Sequence, residues 1–276
     1  WLKKKNMSNS FPENPNVSIN SQITETSISA NELIILLNAT EGIIDASSVE
    51  EISGPISDIV TIYGLNKFSG LGNEDIILND ANISASKLND LDNFTGGTID
   101  ASTVTTITGS ASDINIAYES NGISGLGDEA ISLTDSNINA SDLRALDNNT
   151  IGVINASVVT SITGTSSDFF NLISSSFITG LGNESISLTE ENANGSLLNI
   201  VLSNTSGDIN ASAVNQISGS ISEIKTIYVS NQFSGLGNEA IILDDSSISA
   251  SDLNTLDTNN ATGTIDASAV TTITGL

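Results

Sequence analysis

Ser69-Gly70-Leu71-Gly72-Asn73-Glu74 decides the fold, because it does not occur once. It returns as Ser124-Gly-Leu-Gly-Asp-Glu129, Thr179-Gly-Leu-Gly-Asn-Glu184 and Ser234-Gly-Leu-Gly-Asn-Glu239. Its first glycines, Gly70, Gly125, Gly180 and Gly235, are evenly spaced. A fixed period of this size, about 55 residues, marks a tandem array of stacked units. Two further signatures keep the same register. One runs Ser29-Ala-Asn-Glu-Leu33, Ser84-Ala-Ser-Lys-Leu88, Asn139-Ala-Ser-Asp-Leu143, Asn194-Gly-Ser-Leu-Leu198 and Ser249-Ala-Ser-Asp-Leu253. The other runs Ile44-Asp-Ala-Ser47, Ile99-Asp-Ala-Ser102, Ile154-Asn-Ala-Ser157, Ile209-Asn-Ala-Ser212 and Ile265-Asp-Ala-Ser268. The last copy is displaced by a single position. The extra residue falls in Asp257–Thr262, which reads as an exposed loop.

Within a unit, Ala130-Ile-Ser-Leu-Thr-Asp135 alternates apolar and polar residues and predicts a strand, as do its copies from Asp75, Ser185 and Ala240. Asn139–Asp147 predicts a short helix with Leu143 and Leu146 turned inward. Gly97–Ala101 predicts a second strand, and Val104 and Ile107 follow at helical spacing up to Gly109. A second helix is predicted from Ser110 to about Ser120. Its Ser/Thr-x-x-Asp/Glu start recurs at Thr165–Asp168 and Ser220–Glu223, with Pro55 in the earliest copy. Ile114 and Tyr118 face the core, as do Ile59 with Tyr63, Phe169 with Ile173, and Ile224 with Tyr228. Elements this short do not persist alone, so stacking must hold them. The expected fold is an α/β repeat solenoid of about five such units, each two strand–short-helix rungs with a parallel sheet on one side. Each strand is expected beside its counterpart in the neighbouring rung, giving columns such as Leu78/Leu133/Leu188/Leu243, Ile107/Ile162/Ile217/Ile273 and a core column Leu71/Leu126/Leu181/Leu236. The Ser/Thr-rich runs, Thr103–Thr108 among them, leave an all-β solenoid as the alternative. Residues 1–16 read as an irregular lead-in and 17–276 as the solenoid. A start on Trp1 and a stop just after Thr-Ile-Thr-Gly275 lead us to expect truncation at one or both ends.

Composition removes whole function classes. The net charge is −26 with seven basic residues, three of them Lys3, Lys4 and Lys5. Nucleic-acid binding needs clustered cations, so no nucleic-acid partner is expected. No apolar run reaches membrane-spanning length, so no membrane insertion is expected. Without Cys or His, the usual zinc, iron and copper ligands and the Ser-His-Asp and Cys-His catalytic arrangements are missing.

The combined signature GLGNEAIxLxDxxISASxLNxLD, TGxIDASxVTxITG and SDIxxxY resembles the tandem repeats of very large surface or secreted proteins of marine bacteria, cyanobacteria in particular. The resemblance covers residues 17–276. It implies an extracellular or cell-surface, adhesin-like or structural role. The calcium-binding Gly-Gly-x-Gly-x-Asp nonapeptides that accompany such repeats do not occur here, so no calcium ligands are transferred.

The remaining candidates come from the residues themselves. Gly70–Glu74 lacks the Lys and Ser/Thr of a phosphate loop and reads as a tight turn needing positive φ. Glu74, Glu129, Glu184 and Glu239 read either as a carboxylate ladder for cations or as acceptors for backbone amides in the adjacent turn. Asp/Asn interchange at Asp45, Asp100, Asn155, Asn210 and Asp266 points to side-chain hydrogen bonding rather than charge. The acidic loops at Asp90–Asn93, Asp147–Asn149 and Asp244–Asp245 read as solvated turns or as oxygen ligands for Ca²⁺, and weak multi-site Ca²⁺ binding is the only cofactor expectation. Phe170 is the candidate surface contact, in a copy rich in Phe. Repeated acids supply no single catalytic pair, so a non-enzyme is expected. The leading reading is a structural or adhesive segment of a bacterial surface or secreted protein, an extended acidic spacer contacting other repeats or extracellular polymers. The alternatives are a calcium- or glycan-binding solenoid module and a fragment of a polysaccharide-acting enzyme.

Overall fold

The structure, a computed structural model, describes residues 21–260 and 262–275. The lead-in expected at residues 1–16 lies outside them. The chain is α/β. Its helices are α1 Ala30–Ala39, α2 Ile56–Gly64, α3 Ala85–Phe94, α4 Ala111–Glu119, α5 Ala140–Asn149, α6 Ser166–Ile173, α7 Gly195–Asn204, α8 Ile221–Val229 and α9 Ala250–Asn259. Every strand pairing recorded between described residues is parallel. The recurring helices exclude the all-β alternative. Two compact units are formed by the described residues, 21–132 with 149–152, and 133–148 with 153–260 and 262–275.

In the first unit one ladder joins Ser27–Ser29, Glu51–Gly54, Asp75–Leu78, Ile99–Asp100 and Ile123–Ser124. Its register sets Ile28 beside Ile52, Ile52 beside Ile76, Ile76 beside Ile99 and Ile99 beside Ile123. The second unit repeats the plan with Ile138, Ile162, Ile186, Ile209 and Phe233. Neighbouring strands are therefore separated by less than half the sequence period. The expected columns Leu78/Leu133/Leu188/Leu243 and Ile107/Ile162/Ile217/Ile273 do not form: Ile162 pairs with Ile138 and Ile186, and Ile107 pairs with Ile83. One ladder contains five different strand types once each. The reason is the length of one turn of the coil, a strand, a helix and a second short strand. That path brings a later strand beside an earlier one after about two dozen residues, whatever the sequence period.

Helix starts keep a different step. They fall at Ala30, Ile56, Ala85 and Ala111, a shorter interval alternating with a longer one. Both intervals exceed that of the strands, so strand pairing slides past the helices turn by turn. A ladder opens on a strand leading into a helix (Ser27–Ser29, before α1) and ends on one that follows a helix (Ile123–Ser124, after α4). The expected helical turn at Val104 and Ile107 is instead a tight turn followed by the strand Thr106–Gly109, because Ile107 must join Ile83 in a ladder.

The helices are short but well terminated. Ser110, Thr165 and Ser220 hydroxyls accept the N–H of Asp113, Asp168 and Glu223, worth about 1 kcal/mol each. A second cap comes from the next turn of the coil. Asp80, Glu190 and Asp245 carboxylates accept the first helical N–H at Ile56, Ser166 and Ile221. Pro55 has no hydroxyl to cap α2, and Asp80 serves that end. Leu88 and Leu91 of α3, Leu143 and Leu146 of α5, and Ile224 and Ile227 of α8 are buried. Leu71, Leu126, Leu181 and Leu236, expected in the core, are half-exposed. The loop expected at Asp257–Thr262 is not wholly exposed either, because Asn260 is buried. Two of the expected acidic loops are helical instead: Asp90–Asn93 belongs to α3, and Asp147–Asn149 ends α5. Among the described residues no helix is long and apolar enough to cross a membrane.

Ile99→Ala, in the ladder, should cost about 2–5 kcal/mol, whereas Leu126→Ala should cost under about 1 kcal/mol. Urea unfolding followed by circular dichroism measures both; equal losses would contradict the register.

Candidate functional site

The recurring Ser-Gly-Leu-Gly-Asn-Glu segment is the turn between the strands Phe68–Ser69 and Asp75–Leu78. Gly70 has φ +88°, and a side chain there would come within 2.7 Å of the Ser47 backbone. Gly125, Gly180 and Gly235 sit the same way on Ser102, Ser157 and Ser212. The Gly-Leu-Gly signature of one turn of the coil therefore packs directly on the Ile-Asp-Ala-Ser signature of the turn before it. That second signature is folded by its own acid or amide. The Oδ1 atoms of Asp45, Asp100, Asn155, Asn210 and Asp266 accept the N–H two residues on, at 2.8–3.1 Å. Asp and Asn do this equally well, which accounts for their interchange. Where the residue is Asp, these bonds favour the carboxylate. At Asp45 and Asp266 the Ser backbone N–H leads, and at Asp100 the Ser102 side chain leads, in holding the acid below the usual carboxylate range.

Gly72 turns its N–H onto both Glu74 carboxylate oxygens, at 3.0 and 2.8 Å. Glu74 is only 2 % exposed, and Glu129, Glu184 and Glu239 are 0 %, 0 % and 1 % exposed. Tyr63, at the end of α2, donates its hydroxyl to Glu74 at 2.5 Å and stacks on Phe94, ring centroids 5.7 Å apart. Tyr118 donates to Glu129 at 2.9 Å and Tyr228 to Glu239 at 2.5 Å. The backbone of each glutamate is held as well. Thr95, Thr150 and Thr205 hydroxyls donate to the carbonyls of Glu74, Glu129 and Glu184, and the Asn260 side-chain amide does this for Glu239. Asn260 is buried by this bond, so the added residue of the last copy is accommodated after it. Gly97, Gly152, Gly207 and Gly263 lie against the same carbonyls, where a side chain would come within 2.1–2.4 Å.

Each of the four glutamates therefore accepts the backbone N–H of the glycine two residues before it. Burial, and then the glutamate hydrogen bond, raise Tyr63, Tyr118 and Tyr228 above the usual phenol range. The tyrosine partner was legible only as a fixed offset: each lies 11 residues before its glutamate. The acidic segments also bond within the protein. Asp92 accepts from the Ser120 hydroxyl, Asp147 from the Ser175 hydroxyl, and Asp245 from the Ile221 N–H. Among the described residues no three Asp or Glu side chains gather as a metal-holding group. Phe170, on α6, is 40 % exposed. No family model matches the chain, and no curated protein or solved structure matches it.

Chemically, each turn presents a dry, fixed carboxylate to a backbone amide, joined in three copies by a phenol. Tyr118→Phe leaves that carboxylate short of a donor and should cost about 1–3 kcal/mol in urea unfolding. The pH dependence follows from the raised tyrosines, the only three in the chain. Below about pH 10 the phenols are neutral in both states. Above it the unfolded chain ionises first, so stability falls as pH rises. Melting should drop between about pH 9 and 11 by more in the native protein than in a Tyr63→Phe, Tyr118→Phe, Tyr228→Phe triple variant.

Proposed function

We propose that this chain is a non-catalytic structural or adhesive repeat segment of a bacterial cell-surface or secreted protein, serving as an acidic spacer or interaction surface. The observation that carries the reading is the fate of its most regular acids. Glu74, Glu129, Glu184 and Glu239 are buried, and each accepts the N–H of its own turn. Glycosidic chemistry needs two carboxylates facing one bond with access to substrate and water. These carboxylates instead recur singly, once per repeat, in positions that close the stack. The cell-surface placement rests on the resemblance of the repeat signature. The acidity supports it further, since a strongly charged surface keeps a repetitive chain soluble and apart from other anions. Other repeats and neutral or cationic extracellular polymers are the partners that fit. Incubation with a panel of soluble polysaccharides should release no reducing ends above a blank; sustained release would overturn the reading.

A second reading, a glycan contact, is favoured by one observation. Phe170 and Phe177 are both exposed in the third copy, and an exposed ring offers an apolar platform of the kind ligand sites use. A glycan array should then give a signal that Phe170→Ala abolishes. Weak calcium binding would act by relieving repulsion among the 33 acidic residues. Thermal melting in high salt should rise on adding calcium, and an unchanged midpoint would remove calcium from the account.

A further inference from the structure

We propose that Ile173–Glu184 is a built-in yield point, the segment of the second unit that opens first under load or warming. The segment is set apart by what its counterpart Tyr228–Glu239, in the same unit, possesses. Glu239 is buried with two kinds of donor, backbone N–H groups led by Gly237 and the Tyr228 hydroxyl at 2.5 Å. Glu184 is equally buried, at 0 % exposure, yet accepts from the Gly182 N–H alone among the described residues. The residue at the tyrosine offset before it is Ile173, which has no hydroxyl. A buried carboxylate short of a donor keeps its desolvation cost without the compensating bond.

The coil after the helix is also tied differently. Gln232 sends its amide to the Thr205 and Gly207 carbonyls, at 3.0 Å each, and Lys67 in the first unit sends its ammonium to the Glu41 carbonyl at 2.9 Å. The corresponding residue in the third copy is Phe177, which has no side-chain donor and is exposed. The Ser175 hydroxyl on Asp147 anchors this coil at one point, but it bonds no backbone carbonyl of the preceding turn. Finally α6 ends early. It has 8 residues where α8 has 9. The other end of α6 is firmly held, by the reciprocal Thr165–Asp168 cap and by Glu190 on the Ser166 N–H. Opening is therefore expected to start at the helix C-terminus and run through the Gly-Leu-Gly turn, leaving the strand Ser185–Leu188 in its ladder. Such local opening lets the segment release slack without unstacking the unit, in keeping with the uneven local stability of folded chains.

Amide hydrogen exchange on the full chain tests this. Amides of 173–184 should exchange at least about tenfold faster than those of 228–239, the factor expected for one missing donor. Ile173→Tyr should slow the third-copy segment to the rate of its counterpart. Tyr228→Phe, which removes only a hydroxyl, should transfer fast exchange to 228–239 and leave 173–184 unchanged. Equal protection of the two segments in the native chain would overturn the proposal. So would fast exchange that persists in a folded Ile173→Tyr protein while Tyr228→Phe changes nothing.

Discussion

Each unit depends on parallel pairing between strands about one short turn of chain apart. Strand pairing in a coil is set by the path length of one turn, which must carry the chain along a strand, through a helix and back. The sequence repeats on a longer period. The two periods are reconciled by making one position interchangeable, an inward apolar residue in each strand, buried at Ile28, Ile52, Ile76 and Ile99. Ile28, Ile52, Ile76, Ile99 and Ile123 belong to five different motifs, yet stand side by side. A β-branched residue suits this place because it packs well on a pleated surface and has one preferred rotamer. Burial of each such side chain is worth about 1.5–3 kcal/mol, spread along the stack rather than gathered in one centre.

A column of isoleucines holds strands together but does not say where a turn must bend. Polar contacts between successive turns of the coil do that. Gly70 fits over Ser47, the Glu74 carbonyl is met by Thr95, and Asp80 reaches back to the start of α2. All three contacts join residues from different turns. A helix as short as α2 gains little from its own hydrogen bonds, so capping by an acid on a neighbouring turn ties its formation to the stack. The buried glutamate belongs to the same scheme. Its burial is costly, and the Gly72 amide and Tyr63 hydroxyl offset that cost only when the turn and the helix end are both in place. Each repeat that carries the tyrosine thereby checks the folding of its own parts.

This arrangement separates two kinds of acid. Glu74 and its equivalents are internal and singly placed, and their role is geometric. Asp45, Asp100 and Asp266 lie toward the surface, and bonds to the following Ser hold them ionised. Most of the protein's charge therefore faces solvent, where salt screens it, while the interior acids accept hydrogen bonds from their own turns. With seven basic residues in the whole chain, ion pairs contribute little; Lys225 forms one with Asp252.

The residue order by itself determined the α/β class, the period, most helices and strands, the caps at Ser110, Thr165 and Ser220, and the turn character of Gly-Leu-Gly-Asn-Glu. These are local properties, written in periodicity and in residues with narrow conformational preferences. It also pointed to hydrogen bonding by Asp45 and its equivalents, since free exchange of Asp for Asn is visible in the copies. Which strand lies beside which was not legible. Identical motifs invite pairing with one another, and only the closed path of the chain shows that unlike motifs pair instead. For the same reason Leu71, expected inside, stands half-exposed. The phenol on Glu74 and the acid on the Ile56 amide were hidden too, because both join distant residues whose separation becomes meaningful only once the coil has a pitch. Tertiary structure decided these contacts because they depend on the length of a turn in space, which no single segment encodes.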